Sequence, residues 1–446
     1  MTEPGQPAAP LAGITVVTLE QAVSAPMCTR TLADFGARVI KIENPQGGDF
    51  ARHYDDVVNG LAAHFVWVNR GKESVTLDVK SPDGIELLHR LLDRADVLVS
   101  NLAPGSTARL GIASDDMEVR HPGVIAVEID GYGPGGPISH KRAYDLLIQA
   151  ESGVCAVTGR PGEPAKPGPP VADVCSGLYA ALSILAMLCG RSRPAGDIEH
   201  RSRLAGDIEH RSRPAGDIEH RSRPAGDIEH PNREKRRAGN AVRVSLFDTA
   251  TELMGYHLNY TRHSGIDQQP LGMSSPAVAP YGAHRTADDQ MVVLGTTNDA
   301  EWQRLARDIL QRNDLAVDER YRTNTGRVTH RGVLDEVVGT WCAQHDLAHI
   351  QKTADAAGIG NARYNVPSEV LEHPQLAARD RWRHIDTPNG PIPALLPPPV
   401  IAGYEPPMGA VPGLGQHTDS VLAELGIDHN EIARLREQGA IGPAYR

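Results

Sequence analysis

The chain has 446 residues, of which 40% are hydrophobic and 23% charged. This length and balance predict a soluble globular protein of two or three domains. The net charge of −11 argues against nucleic acid as the main partner, because a phosphate-binding surface needs a basic excess. The five cysteines form no CxxC pair, no signal peptide is visible, and the longest apolar run, 178–189, is too short to span a bilayer. We therefore expect a reduced, cytoplasmic protein without structural zinc and without membrane contact.

The first third of the chain alternates strand and helix patterns. Apolar, β-branched runs predict strands at 14–19, 39–42, 75–79, 97–99 and 124–129. One helix is predicted at 29–35, and a second runs from the N-cap Ser81, with Pro82 at the first helical position, to Arg94. Strands separated by helix-length segments predict an α/β fold with a Rossmann-like, doubly wound parallel sheet.

Residues 191–230 are four tandem ten-residue copies of Arg-Ser-Arg-Pro-Ala-Gly-Asp-Ile-Glu-His, with Leu204 replacing proline in the second copy. One isoleucine in ten residues cannot form a core, so we predict a flexible, solvated insertion over 191–238. The ten-residue spacing of the histidines does not define a metal site.

Folded sequence resumes after the insertion with a predicted strand at 241–247 and a helical stretch to about residue 260. Residues 276–375 combine a short strand at 291–294 with amphipathic helices, which predicts a smaller α+β domain. A proline-rich connector at 388–412 precedes a helical tail at 418–439.

Asp173 is the strongest candidate for chemistry. It follows a Gly/Pro-rich stretch and precedes the apolar run 178–189. The positive end of a helix dipole would keep a carboxylate there ionised, and the small Ser176 and Gly177 would let a large substrate approach the backbone. Aspartate is also a favoured N-cap, so a purely capping role is the alternative.

The sequence motifs of other common cofactor, catalytic and metal sites are absent or incomplete in this chain. No GxGxxG pattern follows the first predicted strand, and the glycines of 131–136 are typical of a tight turn. Neither a GxSxG elbow nor a P-loop occurs. His345 and His349 have the spacing of a helical zinc pair but lack an adjacent glutamate and a third ligand, so no metal site is predicted.

A set of segments along the chain forms one recognisable series, namely 11–14, 32–43, Gly47-Gly48-Asp49, 69–72, 77–80, 101–105, 131–133, 144–145, 169–177 and 244–248. Taken in this order, they resemble the family III CoA-transferases, the group that contains formyl-CoA transferase, carnitine CoA-transferase and α-methylacyl-CoA racemase. They cover nearly the whole chain outside the ten-residue copies.

The resemblance implies an interlocked homodimer, in which each subunit forms a ring threaded by the other and both chain ends build the large domain. The implied organisation is a Rossmann-like CoA-binding domain beginning with 1–190, the insertion 191–238, a strand and linker helix at 239–275, a small domain at 276–375, and a connector with return to the large domain at 376–446.

The resemblance also implies coenzyme A as a substrate and Asp173 as the catalytic residue. Positions that match binding positions for CoA are Ala22, Val23, Ser24, Leu77, Lys80, Asn101, Leu102, Arg109, Arg142, Tyr144 and Asp145. Formyl-CoA transferase has glutamine at the Val23 position and arginine at the Asn44 position, so the resemblance does not carry over its formyl–oxalate substrate pair.

The implied reaction moves CoA between two carboxylic acids through an aspartyl anhydride and an aspartyl-CoA thioester. A carboxylate of pKa ~4 displacing a thiol of pKa ~8.5 is uphill by about 6 kcal/mol, which orientation of CoA beside Asp173 can offset by roughly 7–11 kcal/mol. Segments 358–363 and 373–376 are similar to relatives that act on short dicarboxylates. Backbone N–H groups near Gly177 or Gly272 are candidate oxyanion donors.

Two alternatives remain from the sequence. The α-methylacyl-CoA racemases carry histidine directly before the aspartate that matches Asp145; here Tyr144 stands there, and a phenol of pKa ~10 is a poor base at neutral pH. A non-catalytic acyl-CoA-binding protein whose insertion recruits a partner is the second alternative.

Overall fold

The computed structural model of the protein describes residues 9–191 and 239–445. The predicted insertion, apart from Arg191, lies outside the described residues. The chain divides into two compact units. The first comprises Met1–Ile148, Pro170–Ala250 and Arg383–Arg446, and the second comprises Gln149–Pro169 and Thr251–Trp382. The domain boundaries expected from the sequence stay a prediction.

The strands are numbered in chain order. They are β1 Thr15–Leu19, β2 Arg38–Glu43, β3 Lys72–Thr76, β4 Val97–Ser100, β5 Ile125–Asp130, β6 Gly159–Arg160, β7 Glu163–Pro164, β8 Ala241–Ser245, β9 Tyr281–Arg285, β10 Met291–Gly295, β11 Gly360–Arg363, β12 Trp382–Ile385 and β13 Ile392–Leu395.

The α-helices are numbered in the same way. Those before the insertion are α1 Ser24–Asp34, α2 Ala63–Asn69, α3 Pro82–Leu92, α4 Ser106–Arg109, α5 Ser114–Arg120, α6 Asp145–Glu151 and α7 Val171–Arg191. Those after it are α8 Leu246–Leu253, α9 Gly255–Ser264, α10 Asp299–Arg304, α11 Asn313–Val317, α12 Asn324–Thr329, α13 Arg331–Cys342, α14 Leu347–Ala356, α15 Pro367–Leu371, α16 Pro374–Ala378, α17 Thr418–Glu424 and α18 His429–Glu437.

Six strands of the first unit form one parallel sheet in the order β3-β2-β1-β4-β5-β8. The predicted α/β fold with a parallel sheet is therefore confirmed. The strand order reverses between the neighbours β1 and β4, so the segments that follow these two strands leave in opposite directions. In open parallel sheets this switch point leaves a crevice at the carboxyl ends of the strands, where ligands bind.

Both faces of the sheet are buried, because successive residues of a strand point to opposite sides. Val16 packs in a core with Cys28 of α1 and Ile184 of α7. Its neighbour Val17 packs on the other face with Leu88 of α3 and Leu422 of α17. A sheet covered by helices on both sides explains the nearly continuous apolar strands in the sequence.

Several elements differ from their sequence expectations. The strand predicted at 241–247 ends at Ser245, where α8 follows, and the tail helix predicted at 418–439 is divided into α17 and α18. Two other differences have identifiable reasons. The strand predicted at 75–79 is β3, which begins earlier, at Lys72, and ends at Thr76. Its polar residues Lys72 and Ser74 disfavour a strand by propensity, yet both are buried and hydrogen-bonded to glutamates. Helix α1 begins at Ser24 rather than at residue 29, because proline is tolerated in a first helical turn and Pro26 lies there.

Helix α7 is longer than the apolar run in the sequence. With 21 residues it is long and apolar enough, by length and composition, to cross a membrane, so the expectation that no segment has this length is wrong. Within the first unit, Ala180, Ala181 and Ile184 of α7 are buried in the core beside the sheet. The core helix of a soluble protein can have the same length and composition.

Gly177 sets how closely α1 and α7 approach. A Cβ atom at this position would overlap the Ser24 carbonyl oxygen and would lie 3.0 Å from the Met27 Cβ and 3.2 Å from the Cys28 nitrogen. Because two of these atoms belong to the α1 backbone, no side-chain rotation relieves the overlap.

The second unit has its own core beside a three-stranded antiparallel sheet of order β11-β10-β9. Val292 and Leu294 of β10 pack against Trp302 of α10 and Val338 of α13. The strand predicted at 291–294 corresponds to β10. His345 precedes α14 and His349 lies within it, with their rings stacked at 4.7 Å.

We expect Gly177→Ala to lower the free energy of unfolding by about 1–3 kcal/mol, because overpacking forces α1 and α7 apart. Urea unfolding measures the effect. Gly190→Ala in the same helix is the matched control, since a Cβ at residue 190 meets nothing within 4 Å, and its stability should be unchanged or slightly higher. Equal stability of Gly177→Ala and the unmodified protein would contradict the packing described.

Candidate active site

A cavity of about 330 Å³ lies at the switch point of the parallel sheet. Its walls come from the segments that follow β1, β4 and β5, together with the start of α7. The lining side chains include those of Gln21, Ala22, Ser24, Phe50, Asn101, Leu102, Asp130, Lys141, Arg142, Tyr144 and Asp173. The crevice expected from the strand order is therefore present and contains the candidate nucleophile.

Asn101 joins the two segments that diverge at the switch point. Its Oδ1 accepts a hydrogen bond from the Gln21 backbone N–H (2.8 Å), and its Nδ2 donates to the Gln21 carbonyl oxygen (2.8 Å) and to Ser24 Oγ (3.0 Å). One amide side chain thus fixes the segment after β1 to the end of β4. Asn101, which matches a CoA-binding position of the family, therefore also has a structural role.

The start of α7 is held by a carboxylate from a distant part of the chain. Asp145 Oδ1 accepts hydrogen bonds from the backbone N–H groups of Ala172 (3.0 Å) and Asp173 (3.3 Å). These groups lie in the first helical turn and have no partner within the helix. Asp145 therefore caps α7, and the Asp173 carboxylate does not make these capping bonds.

Asp173 has an unusually high proton affinity. Burial raises its pKa, and the negative charge of Asp145 raises it further, to about 7. The expectation that the helix dipole keeps this carboxylate ionised is wrong at acidic pH, because loss of hydration and a like charge outweigh the dipole. A carboxylate with a pKa near neutrality suits a nucleophile or a proton acceptor.

The residues matched to CoA-binding positions fall into three groups. Ala22, Ser24, Asn101, Leu102, Arg142 and Tyr144 line the cavity that holds Asp173. Leu77 and Lys80 line a second cavity of about 120 Å³, together with Asn44, and Gln21 and Leu102 line both cavities. The two cavities therefore have Gln21 and Leu102 as shared walls.

Three of the matched residues line neither of these two cavities. Val23 is buried as the N-cap residue of α1, and Arg109 is exposed on α4, where its Nη2 donates to Ser106 Oγ (2.6 Å). Asp145 contacts the backbone of α7 instead.

Among the candidate oxyanion donors near Gly177 and Gly272, the N–H groups of the two glycines themselves are already engaged. Gly177 lies inside α7, where backbone N–H groups bond within the helix, and the Gly272 N–H donates to the Gly159 carbonyl oxygen (2.6 Å). Neither glycine N–H is available to a substrate in this structure.

Sequence reasoning missed several residues of the site. Gln21, Phe50, Asp130 and Lys141 line the cavity without having been singled out. The segment Gly47-Gly48-Asp49, which resembles the family, could have pointed to Phe50, because Phe50 directly follows this segment at the edge of the sheet. Among the described residues no cluster of three or more His, Cys, Asp or Glu side chains could hold a metal ion.

Comparison with known proteins gives the family. A model of CoA-transferase family III matches residues 11–198 and 231–418. The chain is 30% identical to the succinate–glutarate CoA-transferase of Agrobacterium fabrum, covering 93% of this chain and 96% of that protein. It is 28% identical to the acetyl-CoA:oxalate CoA-transferase of Acetobacter aceti, covering 91% and 92% respectively.

A solved structure agrees with this assignment. The fold matches that of a CAIB/BAIF family protein from Brucella suis with a TM-score of 0.71 and 27% identity, covering 94% of this chain and 99% of that one. The predicted family resemblance is confirmed: the chain belongs to family III of the CoA-transferases and is an enzyme of that family.

Proposed function

We propose that the protein transfers CoA between two carboxylic acids with Asp173 as the covalent nucleophile. The observation that carries this proposal is the Asp173 carboxyl group in a cavity at the switch point, with a pKa raised to about 7. Relatives are named for transfer of CoA between carboxylates, including succinate and glutarate.

The proposed reaction has four steps. An Asp173 oxygen attacks the carbonyl carbon of the donor thioester, and the C–S bond breaks to give a mixed anhydride and CoA thiolate. The thiolate attacks the aspartyl carbonyl, which releases the donor carboxylate and leaves an aspartyl-CoA thioester. The acceptor carboxylate attacks this thioester, and the C–S bond breaks to give a second anhydride and CoA thiolate. The thiolate then attacks the acceptor's acyl carbonyl, which forms the acceptor acyl-CoA and releases the Asp173 carboxylate.

The raised pKa of Asp173 makes the first step easier. A carboxylate of ordinary pKa lies 4–5 units below a thiol, or about 6 kcal/mol. With the Asp173 pKa at about 7, the difference falls to roughly 1.5 units, on the order of 2 kcal/mol. Fixing the thioester beside the carboxylate supplies more than this difference.

The cationic side chains at the cavity suit anionic substrates. Lys141 and Arg142 line the cavity of Asp173, and Lys80 lines the second cavity. Such charges fit the phosphates of CoA and the carboxylates of short dicarboxylic acids. We therefore propose short dicarboxylates as donor and acceptor, in line with the names of the relatives.

We also propose that the enzyme is a cytoplasmic, interlocked homodimer with the domain organisation given by the resemblance. Support for a second subunit comes from large apolar side chains that the described chain leaves exposed on α7, namely Leu178, Tyr179 and Leu182. A second copy of the chain would remove such a surface from water. Nucleic acid and membrane are not among the proposed partners.

The first prediction from the proposed function concerns the nucleophile. Asp173→Asn should lower kcat at least about 1,000-fold, because no covalent intermediate forms, while the Kd for CoA stays within about threefold. Asp83→Asn is the control, since Asp83 also lies in the first turn of a helix packed on the sheet, and it should behave like the unmodified enzyme. Succinyl-CoA and acetyl-CoA, each with a panel of acceptor acids and mass detection, measure transfer.

Hydroxylamine added during turnover should convert Asp173 to a hydroxamate that peptide mass spectrometry locates. Absence of an adduct at this residue, with transfer proceeding, would refute the mechanism. Inversion of a single enantiomer of a 2-methylacyl-CoA without any acceptor acid would instead establish a racemase. Binding of CoA with no exchange into any acceptor would favour a non-catalytic acyl-CoA-binding protein.

The second prediction concerns stability. Between the ordinary Asp pKa and about 7, the native state holds a proton on Asp173 that the unfolded chain has released. The contribution of protonated Asp173 to the free energy of unfolding is therefore present at acidic pH and is lost as the pH rises to about 7. We expect the stability gain of Asp173→Asn over the unmodified protein to grow by about 4 kcal/mol from pH 4 to pH 8. Urea unfolding across this range tests it; a difference independent of pH would contradict the raised pKa.

The third prediction concerns Asp145. Asp145→Asn keeps an oxygen that can cap α7 but removes the charge that raises the Asp173 pKa. Because the nucleophile must be ionised, kcat/KM falls as pH drops below the Asp173 pKa, and this acid limb should shift to lower pH in the variant. The pH dependence of kcat/KM measures the shift. An unmoved acid limb would show that the limb does not report Asp173.

A further inference from the structure

A buried cluster of charged and amide side chains lies beneath the segment that follows β1. Its members are Glu20, Lys41, Asp49, Asn69 and Lys72, none of them more than 3% exposed. Two lysines and two carboxylates balance, so the cluster has no net charge. Burial of four ionisable groups is costly unless each is paired, and here every one has a charged partner.

The pairs form a continuous network. Lys41 Nζ lies 2.7 Å from Asp49 Oδ2 and 3.2 Å from Glu20 Oε1. Lys72 Nζ lies 2.6 Å from the same Glu20 oxygen. Both ammonium groups also donate to Asn69 Oδ1 at 3.0 Å. Lys41 therefore fixes the position of the Asp49 carboxylate, and Glu20 joins the two lysines.

The second oxygen of Asp49 faces the active-site segment. Asp49 Oδ1 accepts hydrogen bonds from the backbone N–H of Ala22 (3.1 Å) and of Ala51 (2.9 Å). Ala22 lines the cavity of Asp173 and has a φ of 60°, in the left-handed region that a residue with a Cβ rarely adopts. Such a backbone persists only where surrounding bonds hold it.

The turn before Asp49 requires glycine at position 48. The Gly48 N–H donates to the Asn44 carbonyl oxygen (2.9 Å), and Gly48 has a φ of 70°. A Cβ there would lie 2.6 Å from Glu43 Oε2. The Gly47-Gly48-Asp49 sequence thus serves to bring one carboxylate under Ala22.

We propose that Asp49, held by Lys41, is a positioning residue that fixes the peptide between Gln21 and Ala22 and thereby the CoA-binding wall of the cavity. Asn101 holds the same peptide from the other side, since its Nδ2 donates to the Gln21 carbonyl oxygen. With the Ala22 N–H also engaged, the peptide plane is fixed at both ends. This inference rests on the proposed binding of CoA at Ala22 and Ser24.

A second buried, ion-paired aspartate serves as the control for a purely structural effect of the substitution. Asp34 is also buried and pairs with Arg70 at 2.8 Å and Arg30 at 3.2 Å. Neither it nor these arginines line the cavity of Asp173. Loss of either aspartate charge removes an ion pair from a buried cation, but of the two aspartates only Asp49 contacts the segment after β1.

The experiment compares Asp49→Asn with Asp34→Asn in the full-length enzyme. Asp49→Asn should raise the Kd for CoA, measured by calorimetry, and the KM for succinyl-CoA about tenfold, because an amide has one acceptor oxygen and cannot accept from both Lys41 and the Ala22 N–H, so the wall is no longer fixed. The KM for the acceptor acid and the acid limb of kcat/KM should stay unchanged. Asp34→Asn should lose comparable stability in urea while its Kd for CoA stays within twofold. Equal CoA affinity of the two variants, whether both lose it or both retain it, overturns the proposal.

Two further measurements cover the case in which Asp49→Asn does not fold. Asp49→Glu keeps the charge beside Lys41 but moves the acceptor away from the Ala22 N–H, and it should also weaken CoA binding. In the unmodified enzyme, hydrogen-exchange mass spectrometry should find the Ala22 amide protected, and rapid exchange there overturns the proposal. Calorimetric CoA affinity does not depend on covalent chemistry, so failure of Asp173 as nucleophile would leave this result separately readable.

Discussion

The reversal of strand order between β1 and β4 is the constraint on which the rest of the site depends. Parallel neighbours whose following segments leave in opposite directions cannot close over their shared edge, so a crevice remains there. The chain uses this crevice by fixing both diverging segments to each other through Asn101. It then places the first turn of α7 beside them, where Asp145 holds the helix start. The cavity is therefore a property of the topology, and the side chains define its walls.

Close packing of α7 against α1 links stability to the chemistry of the site. The Gly177 contact lets the two helices approach until backbone meets backbone. Burial of the Asp173 carboxyl group is the larger cause of its raised pKa, and the Asp145 charge is the smaller. A carboxylate made more basic in this way is a better match for a thiol leaving group, but its ionised form destabilises the fold. The helix that forms the core of the first unit therefore also sets the reactivity of its candidate nucleophile.

Much of the fold could be predicted from the sequence, because its signals are local. Ser81 and Pro82 do begin a helix, with Ser81 Oγ accepting from the Gly84 N–H (3.1 Å), and the apolar runs do form the parallel strands. The errors arise where the partner is distant in sequence. Lys72 looks unsuited to a strand until Glu20, far away in the chain, pairs with it. The cap of α7 lies 28 residues before Asp173, so the sequence could only offer Asp173 itself for that role. The family resemblance placed residues in the site, but it could not tell wall residues such as Ala22 from supports such as Asp145.

The buried cluster beneath the segment after β1 is neutral, and this neutrality matters for the pKa of Asp173. Two buried ammonium groups close to the cavity would lower the pKa of a neighbouring aspartate if their charge were not compensated. Here Glu20 pairs with both lysines and Asp49 pairs with Lys41, and the pKa of Glu20 is lowered to about 2, because the lysines outweigh the effect of burial. The cluster therefore supplies rigidity without a net charge, and Asp145 is the charge that raises the Asp173 pKa. A wall held by buried ion pairs is compatible with a basic carboxylate beside it because the charges of those pairs cancel.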